Sequence, residues 1–294
     1  MNIITVINAK GGCGKSTIAM SLASGLAVRG LRTLLIDMDP QAQVTQWLGA
    51  GDGLTAEGTL VAAMEGSQPL DALVQPTRFE NLSFVASSQG LEDLGRQITD
   101  VEGYQTIFTR LLTSLSLDRP FDFVVIDSPN QISPVMENCI YPSDAFIVPF
   151  ESTKAVRSYA NFYHLLLRLR PEEEHRVLHV LSNLSRQPGL RQRVIETLAA
   201  HGIGRARTEV RTCGWLAQVD ENGGSIFHYR PHAKGAADMA ALVTEVLDLL
   251  GVQDPSQHGQ GAHATTITAA TGAEPLPAGD FIHITNEPHH HEAA

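Results

Sequence analysis

Cysteine is scarce in this 294-residue chain, which contains only Cys13, Cys139 and Cys213. Three widely separated thiols, an odd number, form neither a disulfide framework nor a CxxC metal site. Long hydrophobic runs are missing as well, since no stretch approaches the roughly 18 consecutive apolar residues that a membrane span requires. The sequence therefore excludes a disulfide-rich scaffold and predicts no membrane-spanning segment.

Positive charge is also in short supply. The chain contains 21 Lys and Arg and 32 Asp and Glu, which gives a formal net charge of −11. This charge excludes a protein whose whole surface is basic for binding nucleic acid. A local basic patch remains compatible with this balance. The first residues show no basic segment followed by a small-residue cleavage site, so we expect a cytoplasmic protein rather than a secreted one.

Strand-like and helix-like segments alternate from residue 1 to about residue 250, as is typical of βαβ units around a parallel sheet. Because the strand-like segments are mostly apolar on both faces, helices are expected above and below them. This predicts an α/β fold with a mostly parallel, twisted sheet and helices on both faces. The predicted strands span residues 3–8, 32–37, 82–86, 123–127, 145–149 and 177–183, and the predicted helices span 15–30, 104–117, 156–170, 190–201 and 235–250.

The composition changes after Gly251. The remaining stretch is rich in Gly, Ala, Thr, Pro and His, and it contains five acidic residues but no Lys or Arg. Such a segment cannot bury enough apolar surface to offset the entropy lost on ordering. We therefore expect one domain over residues 1–250 and a disordered, acidic, histidine-containing tail over residues 251–294.

The most informative motif occupies residues 10–17 and reads KGGCGKST, between the first predicted strand and the first predicted helix. Glycines let successive backbone N–H groups converge on phosphate oxygens, and the N-terminus of the following helix attracts the same negative charge. Lys15 is predicted to reach the β- and γ-phosphates, Ser16 to ligate Mg²⁺ and Thr17 to hydrogen-bond the α-phosphate. The predicted ATP-binding residues are Gly11, Gly12, Cys13, Gly14, Lys15, Ser16 and Thr17.

Two further motifs place carboxylates at the ends of predicted strands. One strand ends in Asp37, with Asp39 two residues later, and another ends in Asp127. Carboxylates at the C-terminal edge of parallel strands, beside a phosphate loop, can face Mg²⁺ and an attacking water. A plain helix cap is the alternative for Asp37 or Asp39 taken singly, but the pair followed by Pro-Gln favours the metal and water roles.

Together these motifs resemble the deviant Walker A ATPases of the ParA/MinD family, which are P-loop NTPases. The strict pattern GxxxxGK[ST] requires a glycine at position 9, where Ala9 stands, and Lys10 follows it. In the family an early lysine crosses a dimer interface to the partner's nucleotide, and the resemblance implies this role for Lys10. It also implies that Asp39 positions or polarises the attacking water, that Asp37 supports the outer shell of the metal, and that Asp127 holds Mg²⁺ through a water.

The resemblance covers about residues 1–250 and weakens after the motif that contains Asp127. In this motif Asp127 is followed by Ser and Pro. Family members commonly carry a small residue or proline at the next position, where this chain has Asn130. The resemblance implies that Asn183 and Pro231 lie near adenine. A simple strand end and a simple helix start explain these two residues equally well.

Basic residues are concentrated late in the chain. Between Lys154 and Lys234 there are 13 Lys and Arg and 7 acidic residues, whereas the remainder is strongly acidic. This asymmetry is expected for one basic face that binds the phosphate backbone of DNA without sequence preference. Solvated surface arginines are the alternative. The predicted DNA-contacting residues are Arg186, Arg191, Arg193, Arg205, Arg207 and Arg211.

The family resemblance implies a functional cycle. ATP and Mg²⁺ would close a homodimer, and because the dimer presents twice the basic surface it would bind nucleoid DNA non-specifically. An adaptor protein would stimulate hydrolysis, and a cargo would thereby be positioned or segregated. The cargo stays open among a plasmid, a chromosome, a chemoreceptor array and a carboxysome. The protein would then be cytoplasmic and nucleoid-associated, with no membrane partner.

A MinD-like, membrane-associated positioning ATPase is the main alternative. That subgroup needs a C-terminal amphipathic helix with a basic polar face, whereas the tail of this chain is acidic. Iron–sulfur relatives need suitably placed cysteines across the dimer axis, and only Cys139 follows the third motif closely. Metabolic relatives such as dethiobiotin synthetase would need a substrate pocket that the sequence does not indicate.

Overall fold

A computed structural model describes residues 1–50, 55–115, 121–171, 173–183, 189–219 and 223–257. The strands in these ranges are β1 (Asn2–Val6), β2 (Thr33–Asp37), β3 (Gln75–Pro76), β4 (Leu82–Val85), β5 (Phe123–Asp127), β6 (Ala145–Phe150), β7 (Arg176–Ser182) and β8 (Glu209–Val210). The helices are α1 (Lys15–Val28), α2 (Gln43–Trp47), α3 (Leu60–Met64), α4 (Gly90–Gln97), α5 (Ile107–Thr113), α6 (Pro134–Ile140), α7 (Thr153–Leu169), α8 (Leu190–Ala200), α9 (Ile226–Tyr229) and α10 (Lys234–Leu250).

The strands form one sheet in the order β3-β4-β2-β5-β1-β6-β7-β8. All neighbouring pairs are parallel except β3 with β4, which is antiparallel. The register places Asp127 of β5 opposite Val6 of β1 and opposite Asp37 of β2. The predicted α/β architecture is confirmed, and its register brings the carboxyl ends of β1, β2 and β5 to one edge of the sheet.

Helices cover both faces of the sheet. Helix α1 packs against α2, α9 and α10 on one face, while the contacts between α3, α4, α5, α6, α7 and α8 build the other layer. A Cβ atom added at Gly25 of α1 would lie 2.7 Å from Val243 Cγ2 of α10. Because a side chain there would clash, the close approach of α1 and α10 depends on this glycine.

Some predicted boundaries and elements differ from the structure. The single helix predicted over 104–117 is wrong: a 3-10 turn spans Tyr104–Thr106 and α5 spans Ile107–Thr113, while 116–120 lie outside the described residues. The start of α5 is held by a distant residue, because the Phe108 N–H donates to Asn138 Oδ1 at 3.0 Å. The sequence does not predict several of the short elements, among them β3, β8 and α4, because such short segments carry little periodicity.

The last described helix, α10, ends at Leu250, and Gly251 follows it in the left-handed region at φ 66°. This is a common way to end a helix. Most of the predicted tail, residues 258–294, lies outside the described residues. Within the described ranges, none of the helices combines the length and apolar character needed to cross a membrane.

Candidate nucleotide-binding site

The glycine-rich loop connects β1, a central strand of the sheet, to α1. Gly12 and Gly14 adopt φ values of 75° and 89°, in the left-handed region that favours glycine. Gly14 is the N-cap of α1, so the loop leads directly into the positive end of a 14-residue helix. The predicted phosphate loop thus has the backbone conformation and the helix terminus that bind anions.

Cys13 holds this loop against the body of the protein. Its side chain is buried, its thiol donates to Lys10 O at 3.2 Å, and Ser182 Oγ at the end of β7 donates to Cys13 O at 3.2 Å. Burial raises the pKa of the Cys13 thiol, which disfavours the reactive thiolate. Cys13 therefore braces the loop instead of serving as a nucleophile.

The two lysines of the motif have different surroundings. Lys15 is only 5% exposed, and its ammonium group donates to Lys10 O at 3.1 Å. A buried cation that meets a neutral carbonyl is well suited to an anionic ligand. The Lys10 side chain makes its contacts within its own chain. Its ammonium group donates to Gly11 O and forms an ion pair with Glu151.

Asp37 is fully engaged inside its own chain. One carboxyl oxygen accepts from Asp39 N at 3.1 Å, and the other accepts from Thr45 N at 2.9 Å and Thr45 Oγ1 at 2.8 Å. Burial raises the pKa of Asp37 to about 7, against the opposing effect of the hydrogen bonds from Thr45. Asp37 thus orients the segment that follows β2, and its predicted support of the metal's outer shell stays a prediction.

Asp127 has the opposite character. Its side chain is fully buried at the tip of β5, and neither carboxyl oxygen has a hydrogen-bond partner within the described structure. Burial raises its pKa well above the ordinary value, Asp37 adds to the rise, and the nearby Ser16 hydroxyl opposes it. An unpaired buried carboxylate beside a serine hydroxyl is a donor set that fits hydrated Mg²⁺.

Asp39 differs from both Asp37 and Asp127 in its hydrogen bonds. It is 7% exposed, Oδ1 accepts from Gln41 N at 2.9 Å, and its backbone carbonyl accepts from Ser87 Oγ at 2.7 Å. Burial raises the pKa of its carboxyl, while the charge of Lys15 lowers it. Oδ1 is thus held in place, whereas Oδ2 accepts no hydrogen bond from the described residues and can accept one from a water.

The two residues predicted to lie near adenine follow different elements of the fold, β7 and α9. Asn183 follows β7 with φ 44°, and its N–H donates to Val210 O at 2.8 Å. Pro231 is exposed in the short connection between α9 and α10. A contact of either residue with adenine stays a prediction.

Sequence reasoning missed Glu151 as a residue of the site. It follows β6, the strand that pairs with β1, so its carboxylate lies beside the phosphate loop although 141 residues separate it from Lys10. One carboxyl oxygen, Oε2, is buried without a hydrogen-bond partner among the described residues. An acid directly after an apolar strand was the available signal, but the pairing of β6 with β1 was needed to interpret it.

The predicted basic face is largely paired with acids. Arg191 and Arg205 form ion pairs with Glu209, Arg207 pairs with Glu245 and Asp248, and Arg211 pairs with Asp238. Arg186 lies outside the described residues. Such pairs reduce the charge that remains for phosphate, so these arginines alone are weaker DNA-binding candidates than their number indicates.

Arg193 differs from its neighbours. Within the described ranges it forms no ion pair, it is exposed, and a Cβ atom at Gly189 would lie 3.2 Å from its Nη1. Since Gly189 is the N-cap of α8, the guanidinium lies at a helix N-terminus. A free cation next to a helix N-terminus attracts phosphate more strongly than either feature alone.

The chain is similar in sequence and fold to several known proteins. A family model described as an AAA domain matches residues 1–177. The cell division protein PomZ of Myxococcus xanthus is 27% identical over 83% of this chain and 77% of its own length. The chromosome-partitioning ATPase Soj of Thermus thermophilus is 29% identical over 83% of this chain and 94% of its own length. The structure of apo McdA of Cyanothece superposes with a TM-score of 0.72 and 21% identity, covering 85% of this chain and all of that one.

Proposed function

The chain belongs to the AAA-domain family whose model matches more than half of it, and on that premise we propose a Mg²⁺-dependent, ParA-like ATPase that dimerises on ATP. The dimer binds DNA without sequence preference, and hydrolysis stimulated by an adaptor protein positions or segregates a cargo. One observation supports the ATPase: the buried Lys15 of the glycine loop lies near Asp127, whose carboxyl oxygens have no hydrogen-bond partner among the described residues.

The residues around the loop divide the work of hydrolysis. Backbone N–H groups of the loop and the α1 N-terminus hold the phosphates, and Lys15 neutralises the charge that develops on them. Ser16 and Asp127 would hold Mg²⁺, which when bound supplies positive charge to the phosphate oxygens. Asp39 orients a water through its second carboxyl oxygen, since the hydrogen bond from Gln41 N fixes the first.

A role in partition or positioning is supported by the similarity to a chromosome-partitioning ATPase and to a cell division protein. DNA binding is supported by the late basic residues, of which Arg193 is the strongest candidate. A cycle of DNA binding and release then follows from multivalent binding, because two copies of each basic residue act together only in the dimer. Nucleoid association is the corresponding location.

The ion pair between Lys10 and Glu151 is expected to oppose dimerisation. Lys10 must leave Glu151 before it can reach a partner's nucleotide, so Glu151→Gln should lower the ATP concentration that gives half-maximal dimer. A partly exposed ion pair contributes up to about 1 kcal/mol, which corresponds to a shift of about fivefold. Light scattering during an ATP titration measures this shift.

Glu137→Gln is the matched control, because Glu137 also forms a partly exposed ion pair, with Arg168, away from the loop. It should leave the ATP midpoint of dimerisation at the wild-type value. A Glu151→Gln midpoint equal to or above that of wild type would contradict the restraining role of Glu151.

DNA binding is tested by fluorescence anisotropy with ATP, ADP or no nucleotide over a salt series. Binding should require ATP and weaken steeply with salt. Arg193→Ala removes one phosphate contact per protomer, so the slope of log K against log salt should fall by about two units in the dimer. ATP-independent binding, or binding to anionic liposomes instead of DNA, would contradict the proposal and favour the membrane-associated alternative.

Arg211→Ala is the control for Arg193→Ala. Both arginines lie late in the chain, but the Arg211 guanidinium donates twice to Asp238, through Nε at 3.0 Å and Nη2 at 2.6 Å. Its charge is already neutralised, so its removal should change the salt slope by less than half as much. Equal slopes for the two variants would show that ion pairing does not select the DNA-contacting arginines.

A further inference from the structure

Asn130 lies in the segment that joins β5 to α6, three residues after Asp127. Both ends of this segment are held. At its start, Ser128 N donates to Val6 O at 3.3 Å, at the end of β1 that leads into the phosphate loop. At its end, Ser133 is the N-cap of α6, and its Oγ accepts from Met136 N at 3.2 Å. Asn130 is therefore presented from an anchored segment beside the loop.

The carboxamide of Asn130 lies against the first glycine of the phosphate loop. A Cβ atom built at Gly11 would be 3.6 Å from Asn130 Nδ2, which is ordinary van der Waals contact. The side chain is half-buried, and within the described residues it makes no hydrogen bond. An amide with two N–H donors thus lies next to Gly11, and among the described residues it meets no acceptor.

The position relative to the other groups identifies which phosphate this amide can reach. In a phosphate loop the helix terminus and the second half of the loop are expected to hold the inner phosphates, whereas Gly11 lies at the start of the loop and follows Lys10 directly in the chain. Asp39 and Asp127 are acceptors when ionised, and Lys10 is held by Glu151. Asn130 can therefore donate a hydrogen bond without first breaking a contact.

We propose that Asn130 Nδ2 donates a hydrogen bond to the terminal phosphate of ATP and thereby makes this chain distinguish ATP from ADP. The inference rests on the proposed ATPase function and adds to it a residue that selects the triphosphate. A neutral amide suits this task because it binds the additional anionic group without repelling the loop cations. ADP lacks the group that Asn130 contacts, so its binding does not depend on this residue.

The test compares the binding of ADP and of the non-hydrolysable analogue AMPPNP by calorimetry in the full-length protein. Removing one hydrogen bond to a charged group should weaken AMPPNP binding about tenfold in Asn130→Ala and leave ADP binding within about twofold of wild type. Asn130→Asp, which keeps the shape but adds negative charge, should weaken AMPPNP binding further. Unchanged ADP binding also shows that each variant is folded.

Gln131→Ala is the control, since Gln131 is the neighbouring amide and is exposed. It should bind both nucleotides as wild type does. Equal losses for ADP and AMPPNP in Asn130→Ala, or a selective AMPPNP loss confined to Gln131→Ala, would overturn the assignment. Failure of the wild-type protein to bind either nucleotide would contradict the ATPase function itself, so the two results are distinguishable.

Discussion

Asp39→Ala is expected to hydrolyse ATP at least about 100-fold more slowly than wild type while its affinity for ATP stays within a few-fold. Positioning or polarising an attacking group contributes rate factors of about 10² to 10⁴. Asp39 Oδ2, which accepts no hydrogen bond from the described residues, is the group that would hold the water, and Lys15 and the loop would hold ATP itself. Phosphate release and equilibrium nucleotide binding measure the two quantities separately.

Asp39→Asn separates chemistry from local structure. The amide oxygen can still accept the hydrogen bond from Gln41 N, so the segment after β2 keeps its conformation while the negative charge is lost. We expect this variant to be as slow as Asp39→Ala and to accumulate as the ATP-bound dimer. Wild-type turnover in Asp39→Asn would show that the carboxylate charge takes no part in hydrolysis.

Lys10→Ala is expected to abolish dimerisation driven by ATP at concentrations that convert wild type almost completely. Lys15, the loop glycines and α1 are unchanged in this variant, so the monomer should still bind ATP within about threefold of wild type. Each half of the dimer is expected to lose one charge-assisted contact. The dimer therefore loses two of them, which makes the effect large. Light scattering with AMPPNP distinguishes monomer from dimer directly.

The double variant Lys10→Ala with Glu151→Gln completes this test. If Glu151 acts only by holding Lys10, its replacement should have no effect once Lys10 is absent, which is the signature of direct coupling. A Lys10→Ala protein that dimerises with AMPPNP as wild type does would refute the role assigned to this lysine. An independent effect of Glu151→Gln in the double variant would place the action of Glu151 elsewhere.

Much of the site was predictable because its parts are local in sequence. The strand β5 matches its predicted bounds, 123–127, since a buried apolar run with an acid at its tip is unambiguous. The glycine loop follows β1 as predicted, although β1 ends at Val6 instead of Asn8. The arginines were different: their sequence spacing predicts a basic face, yet Glu209, Asp238 and Asp248 neutralise most of them in the folded chain.

The sequence by itself determined the phosphate loop, the acids that end β2 and β5, and the α/β class. Each of these features depends on short segments whose residue types have a definite conformational preference. Only the tertiary structure decided that Lys10 meets Glu151 and that Asn130 lies on Gly11. These contacts depend on which strands are neighbours, β5 and β6 flanking β1. Strand order results from the packing of the whole sheet, and no local pattern of residues encodes it.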